Sequence, residues 1–420
     1  MKAINKSAFL TCGISAAFYM YELAMRVIFG TFQNDLCRDF NWTPSQFALI
    51  SSAIYLGIYA AMQLPAGFII NRYRVRPCLI GASFILCLST FASAISVSAW
   101  QIIASRITTA ASSSFGFIIL VSSVYSNIPA QKRSGWLGLC QLIGGLGPVL
   151  AGGPLQQFSH FSETSWREAF LGFGVFGLII FLFSYFCVHE NQKRSEGLRM
   201  VQLKPAWRIL RENIIFCRQF WIVSASIALL YCPIELLSES HGMEFFSLKH
   251  QGDSASFYAM SCAWIGFMLG CPIVGALGDI TKKKKQLLIA CTITAMLSLG
   301  AAFLIPNVFA SLFFMFFVGL GSAGFTNGFS LLADWMENEA LSLSTAMANL
   351  LVLTVNVVLA PVVGRIFEVS QIESSPTLAP YLYAFIPLMI GVFLALILST
   401  FFVKETYGKN QVTFNLIRAS

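Results

Sequence analysis

Gly67-Phe68-Ile69-Ile70-Asn71-Arg72-Tyr73-Arg74-Val75-Arg76 returns in altered form as Gly275-Ala276-Leu277-Gly278-Asp279-Ile280-Thr281-Lys282-Lys283-Lys284, 208 positions further on. Each copy closes a long apolar segment and places Gly67 or Gly275 one helical turn before Asn71 or Asp279. Each then releases a basic cluster, with Arg72 and Arg76 in the first copy and Lys283 and Lys284 in the second. A repeat at about half the length of a 420-residue chain implies two similar halves.

Composition identifies the solvent. Hydrophobic residues make up 56% and charged residues only 11%, with a mean hydropathy of +0.71, against roughly one-quarter charged residues in a water-soluble domain. A membrane span needs about 20 apolar residues. Twelve stretches qualify: 7–31, 46–70, 77–97, 100–127, 134–157, 168–188, 219–240, 254–278, 286–305, 308–333, 342–367 and 381–403. The expected fold is therefore an all-α integral membrane protein with twelve transmembrane helices in two six-helix bundles, 1–188 and 219–403. Residues 189–218 run from a charged stretch into an amphipathic one, which suits a cytoplasmic linker carrying a short surface helix, and 404–420 form a tail. The first span is not a cleavable signal: it is long, carries Glu22 and Arg26, and has no small-residue cleavage site after it.

With these spans and the N-terminus inside, 21 of the 27 Lys and Arg fall on one side. The other side holds Arg38, Arg167, Lys249 and Arg365, while Arg26 and Arg106 lie within spans. That bias makes both termini cytoplasmic. The net charge of +8 then reads as an insertion signal and a contact with anionic lipid, in preference to nucleic-acid binding. Eleven scattered cysteines with no paired spacing read as small core residues, with no metal site and no cofactor expected. Gly172-Phe173-Gly174-Val175-Phe176-Gly177 and Gly319-Leu320-Gly321-Ser322-Ala323-Gly324 match a dinucleotide pattern, but neither follows a strand, so close helix packing is the better reading. There is no phosphate-binding loop of the Walker type.

The motifs in these positions resemble the major facilitator superfamily over almost the whole chain. The first loop copy keeps that family's Gly at Gly67 and Arg at Arg72, with Asn71 in place of its Asp and Arg74 in place of its Gly. The second keeps Gly275 and Asp279, with Ile280 and Lys282 departing from the usual Arg and Gly. Trp100 through Ala110 looks like the family's span-4 motif around Arg106. Gly144-Gly145-Leu146-Gly147-Pro148, followed by Gly152-Gly153, is similar to the span-5 motif of proton-linked antiporters, with one extra residue before the Gly pair. Tyr19-Met20-Tyr21-Glu22-Leu23-Ala24-Met25-Arg26 and Glu239-Ser240-His241-Gly242-Met243-Glu244-Phe245-Phe246 look like the bacterial phagosomal nutrient transporters, a group that takes up amino acids and nucleosides. The resemblance implies a secondary active transporter working by alternating access around a central cavity, in a bacterial inner membrane if the source is prokaryotic. It implies no enzyme.

Ionisable groups inside lipid cost at least about 2.5–3.5 kcal/mol each and mark function by default. Glu22, Arg26, Arg106 and Glu235 are the clearest cases, with Glu239 near a span end. Glu22 and Arg26 are spaced i,i+4 with the acid first, the favourable order for a pair. An Arg between acids can hold a substrate carboxylate when the acids are protonated and the acids themselves when they are not, which couples proton and substrate. The competing reading is a structural ion pair, with Arg106 bonded to backbone carbonyls. Tyr19, Tyr21, Tyr55, Tyr59, Gln141, Trp264, Asn327, Asn349 and Asn356 are candidates to line the cavity, or else interhelical hydrogen bonds and packing rings. Pro233 is expected to loosen the helix before Glu235. In the loops, Asp279 with the Lys cluster would latch one conformation shut, and Asn71 makes the first copy a weaker latch.

The reading that follows is proton-coupled uptake of a small polar metabolite, an amino acid before a nucleoside, by a monomer in contact with membrane lipids and without nucleic acid. Export of a drug or siderophore and a transporter-like receptor stand as the alternatives.

Overall fold

The computed structural model describes residues 6–42, 46–47, 49–129, 132–162, 164–188, 214–239, 242–250, 258–336, 341–370 and 378–407. Every regular element among them is helical. The first half runs α1 (Lys6–Thr31), α2 (Gln33–Phe40), α3 (Tyr55–Tyr73), α4 (Val75–Ala94), α5 (Ala99–Ser113), α6 (Gly116–Asn127), α7 (Arg133–Ala151), α8 (Gly153–Ser162) and α9 (Trp166–Cys187). The second runs α10 (Arg218–Glu239), α11 (Gly242–Lys249), α12 (Tyr258–Thr281), α13 (Lys284–Leu304), α14 (Val308–Ser322), α15 (Gly324–Trp335), α16 (Leu341–Ser370) and α17 (Ala379–Ile397). A π-helical turn, Leu49–Ile54, leads into α3 and another, Leu398–Phe402, follows α17.

Eleven of the described helical segments are long and apolar enough to cross a membrane, and Leu343–Leu359 in α16 is a shorter apolar stretch where the sequence expects a span at 342–367. Most of the expected linker (189–213) and the end of the tail (408–420) lie outside the described residues.

The chain packs as two compact units. Unit 1 comprises Met1–Phe216 with Glu337–Leu350, and unit 2 comprises Cys217–Met336 with Leu351–Ser420, so the division falls inside α16. The sequence assigns the whole of 219–403 to one bundle. The first turns of α16 go with unit 1 because Ala346 is buried in that unit's apolar core and Asn349 is bonded within it.

Within each unit the same helix pairs meet. In unit 1, α1 packs on α6, α3 on α5, α4 on α5 and α4 on α9. In unit 2 the counterparts are α10 on α15, α12 on α14, α13 on α14 and α13 on α17. The loop repeat is thus matched by a repeated packing scheme. Small residues make the approaches close, as expected where lipid supplies no hydrophobic drive between helices. A Cβ on Gly319 would lie 1.7 Å from the Ala263 carbonyl oxygen, and one on Gly147 would lie 2.1 Å from that of Met20. The Gly319 motif therefore serves helix packing. The α7 glycines that resemble the antiporter motif bring α7 onto α1.

Two breaks appear that composition does not reveal. The span 99–127 is interrupted at Ser114–Phe115 and the span 308–335 at Ala323, matching places in the two halves. At the first, Ser112 and Ser114 turn their hydroxyls onto the carbonyls of Thr109 and Ala111, a local competition that loosens helical pairing. At Pro233, by contrast, α10 continues without interruption, so the loosening expected there leaves the helix assignment intact. Outside the spans, α2 is fastened by Asp39. Its carboxylate accepts from Trp166 Nε1 at 2.9 Å and from Arg167 Nη1 at 2.8 Å, and these bonds hold its pKa below the usual value.

Candidate coupling and substrate site

In unit 1 the acid, the two arginines and two of the tyrosines named above come together. Glu22 is completely buried on α1, and its Oε2 lies 3.1 Å from where a Cβ on Gly116 would stand. Gly116 is the first residue of α6, so the carboxylate rests against the break in the span, on the side where a helix start concentrates partial positive charge. A side chain at 116 would crowd the carboxylate. Arg26, one turn on, is half-buried with its guanidinium 5.6 Å from the centre of the Tyr59 ring. Both Glu22 and Arg26 are within electrostatic range of Tyr55 and Tyr59.

Arg106, named for coupling, is bonded here to backbone carbonyls. Its Nη1 donates to the Met25 carbonyl at 2.7 Å, and its Nη2 to those of Ser51 at 2.8 Å and Arg26 at 3.4 Å. The guanidinium lies between the rings of Phe29 (4.1 Å) and Tyr55 (3.9 Å). A planar fork with five donors suits this arrangement, and an ammonium does not. Arg106 thereby joins α1, the π-turn before α3 and α5.

The break in the span has a polar partner that sequence reading passed over. Gln63, completely buried on α3, donates through Nε2 to the Ser114 carbonyl at 3.2 Å. Its Oε1 accepts from Asn349 Nδ2 at 3.0 Å. A carbonyl exposed by the break is thus satisfied, as buried polar groups must be. The signal was present in the spacing: Tyr55, Tyr59 and Gln63 follow i, i+4, i+8 on one face of α3.

The remaining unit 1 candidates are placed by packing. The Tyr19 ring fills the space beside Gly144 and lies 5.7 Å from Phe117, Gln141 is buried on α7, and Tyr21 bonds through its hydroxyl to Thr90 Oγ1 at 2.7 Å.

In unit 2, Glu235 is buried on α10 and accepts a hydrogen bond from Asn356 Nδ2. One turn further along α10, Ser238 accepts from Trp264 Nε1 at 2.9 Å. Asn327 is buried on α15, with its Oδ1 2.4 Å from the Cβ position of Gly278 on α12. Glu239 ends α10, but its side chain lies outside the described residues, as does His241.

The two loop motifs share their backbone. Gly67 and Gly275 are buried, Asn71 and Asp279 are half-buried, and Arg72 and Lys283 are exposed. Arg76 donates to the Tyr185 carbonyl at 3.4 Å, whereas Lys284, in the matching position, is buried and pairs with Asp334 at 2.7 Å. Thr406 also donates to that Asp334 oxygen, at 2.6 Å. Sequence reading missed Asp334 and Thr406 because their approach to Lys284 depends on tertiary packing.

The family model for the Major Facilitator Superfamily matches residues 12–307. No match was found among curated protein sequences. Among solved structures, the chain is similar to a single-residue variant of the Escherichia coli fucose:proton symporter FucP (TM-score 0.69, 14% identity, covering 94% of this chain and 99% of that one). It is similar also to FucP, a transporter of the same superfamily, in the outward conformation (TM-score 0.68, 14% identity, 94% and 99% covered). At that identity the likeness concerns the fold.

Proposed function

The chain belongs to the Major Facilitator Superfamily, and from that premise we propose that it is a proton-coupled symporter that takes up a small polar metabolite, an amino acid before a nucleoside, by alternating access. Membership makes it a multi-pass membrane transporter and not an enzyme. The finer reading is carried by one observation: a completely buried carboxylate, Glu22, at a break in a membrane span, with the half-buried guanidinium of Arg26 one turn away. A buried carboxylate is costly to hold charged in lipid, so taking up a proton is favourable whenever no cation compensates it.

In this reading Arg26 holds the carboxylate of an amino acid while Glu22 is protonated, and holds Glu22 once the substrate has left. Arg106 is already committed to carbonyls and keeps α1 and α5 in register for that exchange. Glu235 with Asn356 provides a second acid in unit 2. That a proton symporter shares this fold is consistent with the proposal.

The test is uptake into proteoliposomes of a panel of labelled amino acids and nucleosides, with and without an imposed pH gradient. Accumulation of an amino acid only with the gradient is expected. Glu22→Gln should abolish that accumulation while sparing exchange of labelled for unlabelled substrate. Accumulation indifferent to the gradient would remove proton coupling, and binding without exchange would make the protein a receptor.

A further inference from the structure

We propose that unit 1 carries a binding groove for one acyl chain of an anionic glycerophospholipid, with the headgroup phosphate held at Arg72. The groove measures about 420 Å³ and is lined by α3, α4 and the α5–α6 span, through Met62, Tyr73, Pro77, Gly81, Ala111 and Phe115 among others. Its wall is almost wholly apolar, and small residues at Gly81 and Ala111 leave the hollow that larger ones would close. A Cβ on Gly81 would meet nothing within 4 Å.

Charge identifies the occupant. At one end the groove reaches Tyr73 and Pro77, which flank the basic loop. The exposed guanidinium of Arg72 sits 5.3 Å from the centre of the Tyr73 ring, so the cation and the apolar hollow share one side chain as a wall. Arg74 follows between the two helices and Arg76 in the first turn of α4, and residues 67–76 contain no acid. The second copy of the motif does hold an acid, Asp279, and its Lys284 is taken up by Asp334. Asn71, where the second copy has Asp279, leaves the first loop purely cationic. A phosphate there gains charge-assisted bonds from a guanidinium, and its acyl chain lies along the groove. A zwitterionic lipid brings its own cation to the same place and gains less.

The experiment uses the full-length protein in phosphatidylcholine vesicles doped with spin-labelled phosphatidylglycerol or, separately, spin-labelled phosphatidylcholine, and reads the motionally restricted fraction. Wild type is expected to restrict phosphatidylglycerol in preference to phosphatidylcholine. Arg72→Gln should cut that preference about fivefold, the effect of one basic residue at a membrane surface, and Asn71→Asp should lower it by placing one negative charge beside Arg72. Gly81→Phe, which fills the hollow, should abolish it, and Ile85→Trp on the same wall is the second filling variant if Gly81→Phe unfolds. Equal restriction of both lipids by wild type overturns the proposal. So does a phosphatidylglycerol preference lost in Arg72→Gln but kept in a folded groove-filled variant, which would mean headgroup attraction alone.

Discussion

Arg74 and Lys282, 208 residues apart, both take a positive φ, 69° and 57°, and each donates its backbone N–H to the carbonyl of the residue four before it, Ile70 at 2.9 Å and Gly278 at 3.0 Å. The repeat read in the sequence thus carries a positive φ and the same backbone hydrogen bond at matching positions. Neither position holds the glycine that such φ values favour. Arg74, with ψ 178°, lies in a region that is close to glycine-only.

Replacing these residues should therefore stabilise the fold. Left-handed backbone costs a side chain about 1–2 kcal/mol, and glycine returns roughly 0.5–1 kcal/mol of that as unfolded-state entropy. Arg74→Gly is expected to raise stability by about 1 kcal/mol and Lys282→Gly by somewhat less, on the same arithmetic. Thermal unfolding in detergent reads the difference, and a lowered midpoint for both would show that the basic side chains outweigh the backbone.

Arg106 separates a structural role from a binding one. Arg106→Lys keeps the charge but loses the fork that reaches three carbonyls and the plane that lies between Phe29 and Tyr55. With hydrogen bonds to a charged group contributing about 1.5–3 kcal/mol each, and an ammonium able to keep one of the three, the loss should be at least about 3 kcal/mol of stability. Folded yield and melting midpoint should fall while the KM of the remaining protein stays put. A variant of normal stability with a raised KM would place Arg106 on the substrate instead.

Lys284 and Asp334 form an ion pair whose side chains are only 7% and 16% exposed. Asp334→Asn leaves the ammonium buried without its counter-charge and is expected to cost about 3–5 kcal/mol. The double variant Lys284→Met with Asp334→Leu should regain most of that loss, since it removes both desolvated charges. Were the double variant as unstable as the single, the damage would lie in packing and not in charge.

Asp39 sets an acid limit outside the membrane. Its folded pKa is depressed by the bonds from Trp166 and Arg167, so its contribution is complete above the unfolded value of about 3.9 and disappears as pH falls through the lower folded value. Between pH 5 and 7 Asp39→Asn should cost up to about 1 kcal/mol, the range of a partly exposed pair. Below about pH 4 the gap between variant and wild type should close. A gap that did not narrow at all as the pH was lowered from 4 towards complete protonation of Asp39 would mean that the charge is not what holds α2 down.

Much of the fold was legible because lipid imposes long apolar runs and basic loops, and both are written in one dimension. The spans and the doubling could be read from residue type and spacing alone, as could the presence of Glu22 and Arg26 one turn apart within a span. The breaks at Ser114 and Ala323 could not, since a Ser- or Gly-rich run is compatible with a straight helix until neighbours decide where its carbonyls go. Spacing puts Gln63 on the face of Tyr55 and Tyr59, but what it bonds there, the Ser114 carbonyl 51 positions away, is set by packing.

Residue types and their order are enough to make this a doubled helical membrane protein with buried charges, because the cost of charge and of unpaired backbone in hydrocarbon leaves few other ways to arrange such residues. Tertiary structure alone decided that Arg106 serves carbonyls, that Lys284 finds Asp334, and that Asn349 is bonded to Gln63. Each of these choices depends on distances between residues far apart in the chain, and only packing sets those distances.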